Sequence, residues 1–368
     1  MLILITIFTT LHALLYLWLF VSWNSITNSP ESSNQNHFSI IIPVRNEAKN
    51  IINLLAYLEV QSFPISNFEV IVVNDFSEDG TEYSVLEYIN QSTLNLKLLN
   101  LTDSKKQGKK HALTLGVKEA RHPFVVTTDA DCIIPKDWLF SFNETVDAET
   151  NMVAGPVGII GDGIFARFQR AEFAGLIGFG AVTISRDSPA MCSGANLGFR
   201  KQVFEEVRGY EDNLFTPSGD DEFMLHSVMN KYPGSVKFLK DKRAVVETPA
   251  QSNWANLRNQ RTRWTSKWKH NRNRGIQALA ILFFLDYFLF YMMVTGLVMG
   301  WMLPSIVIGF VTVRFLADYI YLNSVNRFLG GQSIFLAVLF LQFLYPAHVL
   351  LMGVSSIFGK YTWKGRKY

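Results

Sequence analysis

Acidic residues follow short apolar runs at three places in the first part of this chain. Glu47, Asp75 and the triplet Asp129-Ala130-Asp131 each come just after such a run. An Asp-x-Asp turn offers two hard oxygen ligands to a divalent cation and leaves positions open for phosphate oxygens and water, as Mg²⁺ and Mn²⁺ prefer. The same acids could bind ribose hydroxyls without a metal, and Asp is also a common turn former. Three such motifs in succession favour a site for a phosphorylated ligand.

Lys109 is the first residue of a predicted helix and directly follows Gly108. The amide groups at a helix start, together with a lysine, suit a diphosphate. A solvated basic helix start is an equally good interpretation of this segment alone. Neither familiar glycine-rich phosphate loop, G-x-x-x-x-G-K-[ST] or G-x-G-x-x-G after the first strand, occurs in the chain, which disfavours kinase, ATPase and dehydrogenase activities.

A second pair of acids, Asp220 and Asp221, follows Gly219 and begins the helix-like stretch that continues through 223–229. Acids at a helix start interact favourably with the helix dipole, so capping is one interpretation. The functional alternative is that one of the two carboxylates acts as a general base. A loop of small residues at 193–200, which contains Asn196, also leads into a predicted helix.

The pentapeptide Gln260-Arg261-Thr262-Arg263-Trp264 precedes a strongly apolar stretch. In a helix, Gln260, Arg263 and Trp264 lie at i, i+3 and i+4, so an amide, a guanidinium and an indole share one face. Such a face suits an anionic ligand that carries a ring, because Arg binds phosphate oxygens and Trp offers a flat apolar surface. An interfacial membrane anchor is the alternative.

The elements that must position these residues alternate between strand and helix. This βα alternation predicts a mostly parallel, doubly wound α/β sheet, in which ligands bind beyond the carboxyl ends of the strands. The acidic motifs after the strands should therefore meet at one edge. The predicted strands lie at 38–43, 68–73, 96–101 and 124–128, and the predicted helices at 48–61, 81–90 and 109–120.

Apolar residues make up 49% of the 368 residues and concentrate at the two ends of the chain. The stretch from Leu2 to Trp23 has no charged residue and is long enough to cross a membrane. The first basic residue is Arg45, so a retained anchor is favoured over a cleaved signal peptide. The predicted organisation is a transmembrane helix at 1–24, a linker at 25–37, an α/β domain at 38–250, an interfacial helical region at 251–275, a bundle of about three spans at 276–357 and a basic tail at 358–368.

Seven Lys or Arg residues and no acid lie between Arg258 and Arg274, next to the first C-terminal span. The positive-inside rule places this segment, and the α/β domain with it, in the cytoplasm. The same rule disfavours the basic tail on the far side of four crossings, so one apolar stretch that re-enters or lies in the interface is an alternative. We predict an integral membrane protein, located in the inner membrane if the source is bacterial.

Only three Asp, Glu, Lys or Arg residues interrupt the apolar stretches, namely Asp286, Arg314 and Asp318. The i, i+4 spacing of the last two predicts a structural ion pair, and a polar path for substrate is the alternative. The net charge is only +3 and shows no basic stripe with interleaved aromatics, so no nucleic-acid partner is predicted. Cys132 and Cys192 lack metal-site spacing and suggest reduced thiols.

In their order along the chain, these motifs resemble those of the family 2 glycosyltransferases, and in particular their membrane-embedded, processive branch of cellulose, chitin and hyaluronan synthases. The resemblance spans about residues 38 to 270. It implies a GT-A type, Rossmann-like catalytic domain flanked by transmembrane helices. It also implies an inverting transfer from a nucleotide sugar, usually a UDP-sugar, with Mg²⁺ or Mn²⁺, to a glycan or lipid acceptor. The motifs that carry it are 43–47, Asn74-Asp75, Asp129-Ala130-Asp131, Gly219-Asp220-Asp221 and 260–264.

The resemblance also implies a role for each matching position. Asp221 would be the catalytic base, and Asn196 and Asp220 would lie on the acceptor side. Asp129 and Asp131 would hold the diphosphate through the metal. The nucleotide-sugar-binding residues would be Glu47, Asp75, Lys109, Asp129, Gln260, Arg263 and Trp264.

Two other activities fit the same motifs. A non-processive enzyme would add a single sugar to a lipid carrier, and the small size of the C-terminal bundle makes a polymer channel within one chain less secure. An inactive membrane subunit that only binds nucleotide sugars is the third possibility, although every acidic motif is retained.

Overall fold

The computed structural model describes residues 2–27, 35–214, 216, 218–266, 274–358, 362–363 and 366–367. Most of the predicted linker at 25–37, part of the basic segment before the first C-terminal span, and most of the basic tail at 358–368 lie outside the described residues. The chain forms two compact units. We call residues 26–160 and 179–249 the sheet unit, and residues 1–25, 161–178 and 250–368 the bundle unit.

The sheet unit contains a mixed sheet of seven strands in the order β3-β2-β1-β4-β7-β5-β8. Its first four strands are mutually parallel, whereas β7 runs antiparallel to both of its neighbours. The bounds are β1 Phe38–Val44, β2 Phe68–Asn74, β3 Leu96–Asn100, β4 Phe124–Thr127, β5 Met152–Ala154, β7 Leu197–Arg200 and β8 Val236–Phe238. A second sheet pairs β6 Val157–Ile160 with β9 Val246–Pro249 in parallel.

The predicted α/β sheet is confirmed, and burial on both faces explains why its strands have continuous apolar runs. Every residue of β2 is buried, as expected for a central strand covered by helices on both sides. The one acid inside β2, Glu69, accepts hydrogen bonds from Ser39 Oγ and from the Arg121 amide, both at 2.6 Å. The helices of this unit are α2 Ile51–Glu59, α3 Thr81–Ile89, α4 Lys109–Glu119, α5 Trp138–Thr145, α7 Lys201–Glu206 and α8 Asp220–Lys231.

The bundle unit is mainly helical, and its described residues also include the short antiparallel pair of β10 Thr362–Trp363 with β11 Arg366–Lys367. Within the described residues, three helices are long and apolar enough to cross a membrane: Leu2–Ser25, Gln277–Val298 and Pro304–Phe328. A shorter apolar helix lies at Phe335–Leu351. The helices that belong wholly or partly to this unit are α1 Leu2–Ser25, α6 Gly163–Ser185, α9 Trp254–Ser266, α10 Arg274–Val298, α11 Pro304–Phe328 and α12 Phe335–Phe358. The start of α6 groups with the bundle unit, whereas the sequence prediction counted it within the α/β domain.

Buried polar side chains link four helices of the bundle unit. Arg314 Nη1 donates to Asp286 Oδ1 at 2.6 Å, which joins α11 to α10. Asp318 instead lies 2.7 Å from His12 Nε2 and accepts a hydrogen bond from Gln342 Nε2 at 2.6 Å. The predicted pair of Arg314 with Asp318 is therefore wrong in its partner. Both side chains reach neighbouring helices, where buried charges find closer partners than along their own helix.

Candidate active site

Three of the predicted site residues, Lys109, Asp129 and Asp220, meet at one edge of the seven-stranded sheet. Lys109 Nζ lies 2.8 Å from Asp129 Oδ1 and 3.3 Å from Asp220 Oδ2. Lys109 is the first residue of α4, Asp129 follows β4, and Asp220 is the first residue of α8. Three segments that are distant in sequence thus deliver their charges to one place. We call Lys109, Asp129, Asp220 and Asp221 the acid–lysine cluster.

Two opposed effects act on the ammonium group of Lys109. Burial of the side chain, which is 16% exposed, lowers its pKa, but the nearby carboxylates of Asp129 and then Asp220 outweigh burial and raise the pKa above its usual value. Lys109 therefore stays positively charged at neutral pH. The cluster holds a fixed cation between acids of two different motifs.

The carboxylate of Asp221 is held by two backbone amides. Its Oδ2 accepts from the amide of Gly194 at 3.1 Å and its Oδ1 accepts from the amide of Glu222 at 2.8 Å. These contacts fix the orientation of the side chain, as a general base requires. Because Gly194 has no side chain, the loop that contains it can lie close to the acid–lysine cluster. A Cβ there would lie 3.1 Å from Asp220 Oδ2 and 3.3 Å from Lys109 Nζ, so a larger residue would require these two side chains to shift by a few tenths of an ångström.

Asp75 connects the end of β2 to the start of α4. Its side chain is almost fully buried, and its Oδ1 accepts a hydrogen bond from the amide of Gly108 at 3.0 Å. Arg45 donates to the carbonyl oxygens of Asp75 and Phe76 at 2.8 and 2.7 Å and so anchors the same turn. The loop of Asp75 therefore also sets the position of Lys109, the next residue after Gly108.

Glu47 is buried in the turn after β1. Its amide donates to Thr81 Oγ1 at 2.8 Å, and its Oε2 accepts from Asn50 Nδ2 at 2.7 Å. Asn74 is also tied to its surroundings, because its amide group donates to Asn100 Oδ1 at 2.9 Å and its Oδ1 accepts from the amide of Ser77 at 3.0 Å. These contacts hold the turns that follow β1 and β2.

Asn196 is fully buried, and all of its polar atoms are used inside the sheet unit. Its Oδ1 accepts from Trp138 Nε1 at 2.9 Å, and its Nδ2 donates to the carbonyl oxygens of Pro156 and Ala244 at 2.8 and 2.9 Å. This environment favours a structural role over the contact with an acceptor that the sequence suggested. No pattern in the sequence around Asn196 indicates that it is buried, so its structural role could not be predicted from the sequence.

Replacing Asn196 with alanine should destabilise the protein. The change leaves the Trp138 indole N–H and the Ala244 carbonyl oxygen without the Asn196 side chain, whereas the Pro156 carbonyl oxygen still accepts from the Val246 amide at 3.1 Å. Each buried unsatisfied group costs about 1–3 kcal/mol. We expect the free energy of unfolding to fall by roughly 3 kcal/mol, measured by chemical denaturation of the protein in detergent. Asn95→Ala, at an exposed position, is the matched control. A loss of less than about 0.5 kcal/mol, the range of ordinary surface changes, would contradict the structural role.

The pentapeptide forms part of α9 in the bundle unit, which confirms its helical conformation. Gln260 Oε1 accepts from Arg261 Nη1 at 2.5 Å, and the Arg261 guanidinium lies 4.2 Å from the centre of the Trp264 ring. Phe173 packs against the same indole with a ring separation of 6.0 Å. No role is predicted for Arg261 from the sequence, whereas in the structure its side chain contacts two predicted ligand-binding residues, Gln260 and Trp264.

The turn 129–131 offers two carboxylates as donors for a metal, from the partly exposed Asp129 and the exposed Asp131, while Ala130 between them is buried. Among the described residues, no three His, Cys, Asp or Glu side chains lie together as a metal cage. Mg²⁺ and Mn²⁺ need no such cage, because one or two carboxylates plus phosphate oxygens and water are enough. Asp129 and Asp131 therefore fit a cation that arrives with a diphosphate, and the contact of Asp129 with Lys109 already supplies a positive charge there.

Comparison with known proteins points to one family. The model described as glycosyl transferase family 2 matches residues 39–208, and the model described as glycosyl transferase family group 2 matches residues 124–363. The mannosyltransferase PcManGT from Pyrobaculum calidifontis, solved in complex with GDP-Man and Mn²⁺, has a TM-score of 0.59 at 20% identity and is covered over 97% of both chains. This likeness shows the fold, so the seven-stranded sheet is a Rossmann-like GT-A sheet.

Two curated relatives match about half of this chain. Poly(ribitol-phosphate) beta-N-acetylglucosaminyltransferase TarS of Staphylococcus aureus is 32% identical over 184 residues, 49% of this chain and 31% of TarS. Poly-beta-1,6-N-acetyl-D-glucosamine synthase of Staphylococcus epidermidis is 26% identical over 196 residues, 51% of this chain and 45% of the synthase. The chain thus spans less than half the length of these relatives. Because the family group 2 model covers well over half of the chain and its motifs lie in the expected order, this protein belongs to the family 2 glycosyltransferases.

Proposed function

We propose that this protein transfers a sugar from a nucleotide sugar, with a UDP-sugar as the first candidate, to a polysaccharide or glycolipid acceptor at a membrane. The observation that carries the proposal is the acid–lysine cluster, in which the Lys109 ammonium lies 2.8 Å from Asp129 Oδ1 and 3.3 Å from Asp220 Oδ2. Family membership supports the same reaction class. The apolar helices of the bundle unit support membrane attachment, with the sheet unit on the cytoplasmic side.

Asp221 is the proposed base in a single displacement. As an acceptor hydroxyl oxygen attacks C1 of the donor sugar, its proton passes to the Asp221 carboxylate. The bond between C1 and the diphosphate oxygen breaks, and its electron pair leaves with the nucleoside diphosphate. Because attack and departure occur on opposite faces of C1, the configuration at C1 of the transferred sugar is inverted. The two amide contacts to Asp221 support this role, since they hold the base in one orientation.

The departing diphosphate gains negative charge, and Lys109 is the proposed group that neutralises it. The ammonium already lies among carboxylates and can exchange Asp129 or Asp220 for phosphate oxygens without a change of its own charge. Asp129 and Asp131 are the proposed ligands of Mg²⁺ or Mn²⁺, which when bound would supply Lewis-acid stabilisation to the diphosphate.

Glu47 and Asp75 are proposed to contact the nucleoside. Gln260, Arg263 and Trp264 are proposed to contact the nucleotide and the acceptor. Asp220 remains proposed for the acceptor side.

Lys109→Met should separate two effects of the ammonium. The kcat/KM for transfer should fall about 10- to 100-fold, as expected for the loss of one hydrogen bond to a charged group. Mn²⁺ affinity in the absence of nucleotide should instead rise, because the variant removes a cation that competes for Asp129. Metal titration followed by electron paramagnetic resonance and steady-state kinetics measure the two effects. Lys106→Met, at an exposed position nearby, is the control, and an unchanged kcat/KM would contradict the role of Lys109.

A donor screen tests the proposed function. Purified protein in detergent is supplied with a panel of nucleotide sugars, Mg²⁺ or Mn²⁺ and membrane lipid extract, and nucleoside diphosphate release is measured together with product mass. We expect release with one donor class and a matching gain of sugar mass on an acceptor. Sealed inverted membrane vesicles should react with added donor, whereas right-side-out vesicles should not. Tight nucleotide binding without turnover for any donor would contradict an enzymatic role and favour a binding subunit.

Product length distinguishes the two enzymatic alternatives. A ladder of oligomers supports extension of a polysaccharide, whereas one added sugar supports a single transfer to a lipid carrier. The described residues contain three long apolar helices and one shorter one. Such a small bundle makes the single-transfer product the first to look for.

A further inference from the structure

A buried ion pair in the bundle unit joins α6 to the middle of α9. Glu172 Oε2 lies 2.7 Å from Arg261 Nη2, and Arg261 Nε lies 3.1 Å from each oxygen of the same carboxylate. The two side chains are only 10% and 4% exposed. This is a bidentate contact between a planar guanidinium and a carboxylate, the geometry that best fixes an arginine side chain.

Arg261 is in contact with two members of the pentapeptide at the same time. Its Nη1 donates to Gln260 Oε1 at 2.5 Å, and its guanidinium lies over the Trp264 indole at 4.2 Å. One planar group therefore meets a carboxylate, an amide oxygen and a ring face. Because the guanidinium is rigid, a side chain that fixes its plane also fixes the positions available to Gln260 and Trp264.

A third helix completes the surroundings of Glu172. His348 Nε2, on α12, lies 3.7 Å from Glu172 Oε1, and the His348 ring packs edge-on against Trp254 at 5.5 Å. Glu172 thus has its principal charge partner in Arg261 and a weaker polar neighbour in His348. Loss of the Glu172 charge would leave the Arg261 guanidinium buried without its carboxylate, which is strongly unfavourable and would force it to move.

We propose that Glu172 is a positioning residue for the pentapeptide, which holds Arg261 and, through it, orients Gln260 and Trp264 for the donor and acceptor. The catalytic purpose of this orientation rests on the proposed function. The orientation itself is a property of the protein without ligand. Glu172 needs no contact with substrate. Replacing Glu172 should change the environment of the Trp264 indole, and the change should depend on loss of the negative charge of the carboxylate.

The first arm of the test observes Trp264 directly and needs no activity. The full chain in detergent is labelled with 5-fluorotryptophan, and the Trp264 resonance in the ¹⁹F spectrum is assigned with Trp264→Phe. In Glu172→Gln the Trp264 resonance should shift or broaden, whereas that of the fully buried Trp138 in the sheet unit should not change. Glu172→Asp keeps the charge and should restore most of the original spectrum. An unchanged Trp264 resonance in a folded Glu172→Gln protein would overturn the proposal.

The second arm measures transfer. Glu172→Gln should lower kcat/KM about 10- to 100-fold, by analogy with the loss of a partner that orients a metal ligand. Trp264→Phe combined with Glu172→Gln should lose little more than Trp264→Phe alone, because both changes remove the same orientation. Glu69→Gln, a buried glutamate of the sheet unit outside the pentapeptide, controls for loss of stability.

The two proposals fail in different ways. Wild-type protein that releases no nucleoside diphosphate with any donor would contradict the proposed function, while the fluorine spectra would still decide the role of Glu172. Additive losses in the double variant, with Trp264 undisturbed, would show that Glu172 only stabilises the fold and would overturn the inference.

Discussion

Replacing Asp221 with asparagine is expected to slow sugar transfer about 10²- to 10⁴-fold, the usual contribution of a positioned general base. Asparagine has nearly the same shape and can still accept a hydrogen bond from the amide of Gly194 or Glu222, but it cannot take a proton from the acceptor hydroxyl. The change should therefore lower kcat and leave nucleotide affinity nearly unchanged. Stopped-time assays of nucleoside diphosphate release and calorimetric titration with the nucleotide measure the two quantities.

The control for this variant is Asp212→Asn, because Asp212 is 73% exposed and its nearest cation, Arg208, is 3.8 Å away. It should transfer sugar at the wild-type rate. If Asp221→Asn also retains the wild-type rate, another group accepts the proton. Asp220→Asn would then be the next variant to measure, since its carboxylate is in the same cluster but is engaged by Lys109.

Asp129→Asn should reduce both metal binding and catalysis. The substitution removes one of the two proposed cation ligands, and it also removes the carboxylate that lies 2.8 Å from Lys109 Nζ. We expect kcat/KM to fall about 10²- to 10³-fold, comparable with the loss of one transition-state charge contact. Mn²⁺ affinity in the presence of nucleoside diphosphate should fall with it. Metal titrations and kinetics at several Mn²⁺ concentrations measure the change.

Excess metal provides a further check on Asp129. If the variant acts through the cation, raising the Mn²⁺ concentration should recover part of the lost rate, and the exposed control Asp103→Asn should behave as wild type. A rate loss that no metal concentration relieves, together with unaltered Mn²⁺ affinity, would show that Asp129 acts only through its contact with Lys109.

The parallel part of the sheet could be predicted from sequence because its strands are buried on both faces. The runs that form β1, β2 and β4 are nearly continuous in apolar residues, and their ends fall where the acidic motifs begin. The strands β5, β7 and β8 were not predicted. They are three or four residues long, too short to show a periodicity, and β7 pairs antiparallel to strands that are far away in sequence.

The acidic half of the candidate site was predictable for a similar reason, since parallel strands end at one edge. The contacts that complete it depend on tertiary packing. Nothing in the sequence around Gly194 indicates that its backbone donates to Asp221, and Glu172 is separated by 89 residues from its partner Arg261. Asn196 lies in a loop of small residues, and its position there does not indicate that its side chain is fully hydrogen-bonded inside the fold.

The most direct test of the account is to locate Mn²⁺ and a nucleoside diphosphate in a complex with this protein. Crystals grown with both would be measured at a wavelength where manganese scatters anomalously. We expect an anomalous peak beside the carboxylates of Asp129 and Asp131, with the diphosphate between the peak and Lys109 Nζ. A nucleotide bound away from the acid–lysine cluster, or bound there with Lys109 turned away from its phosphates, would contradict the account.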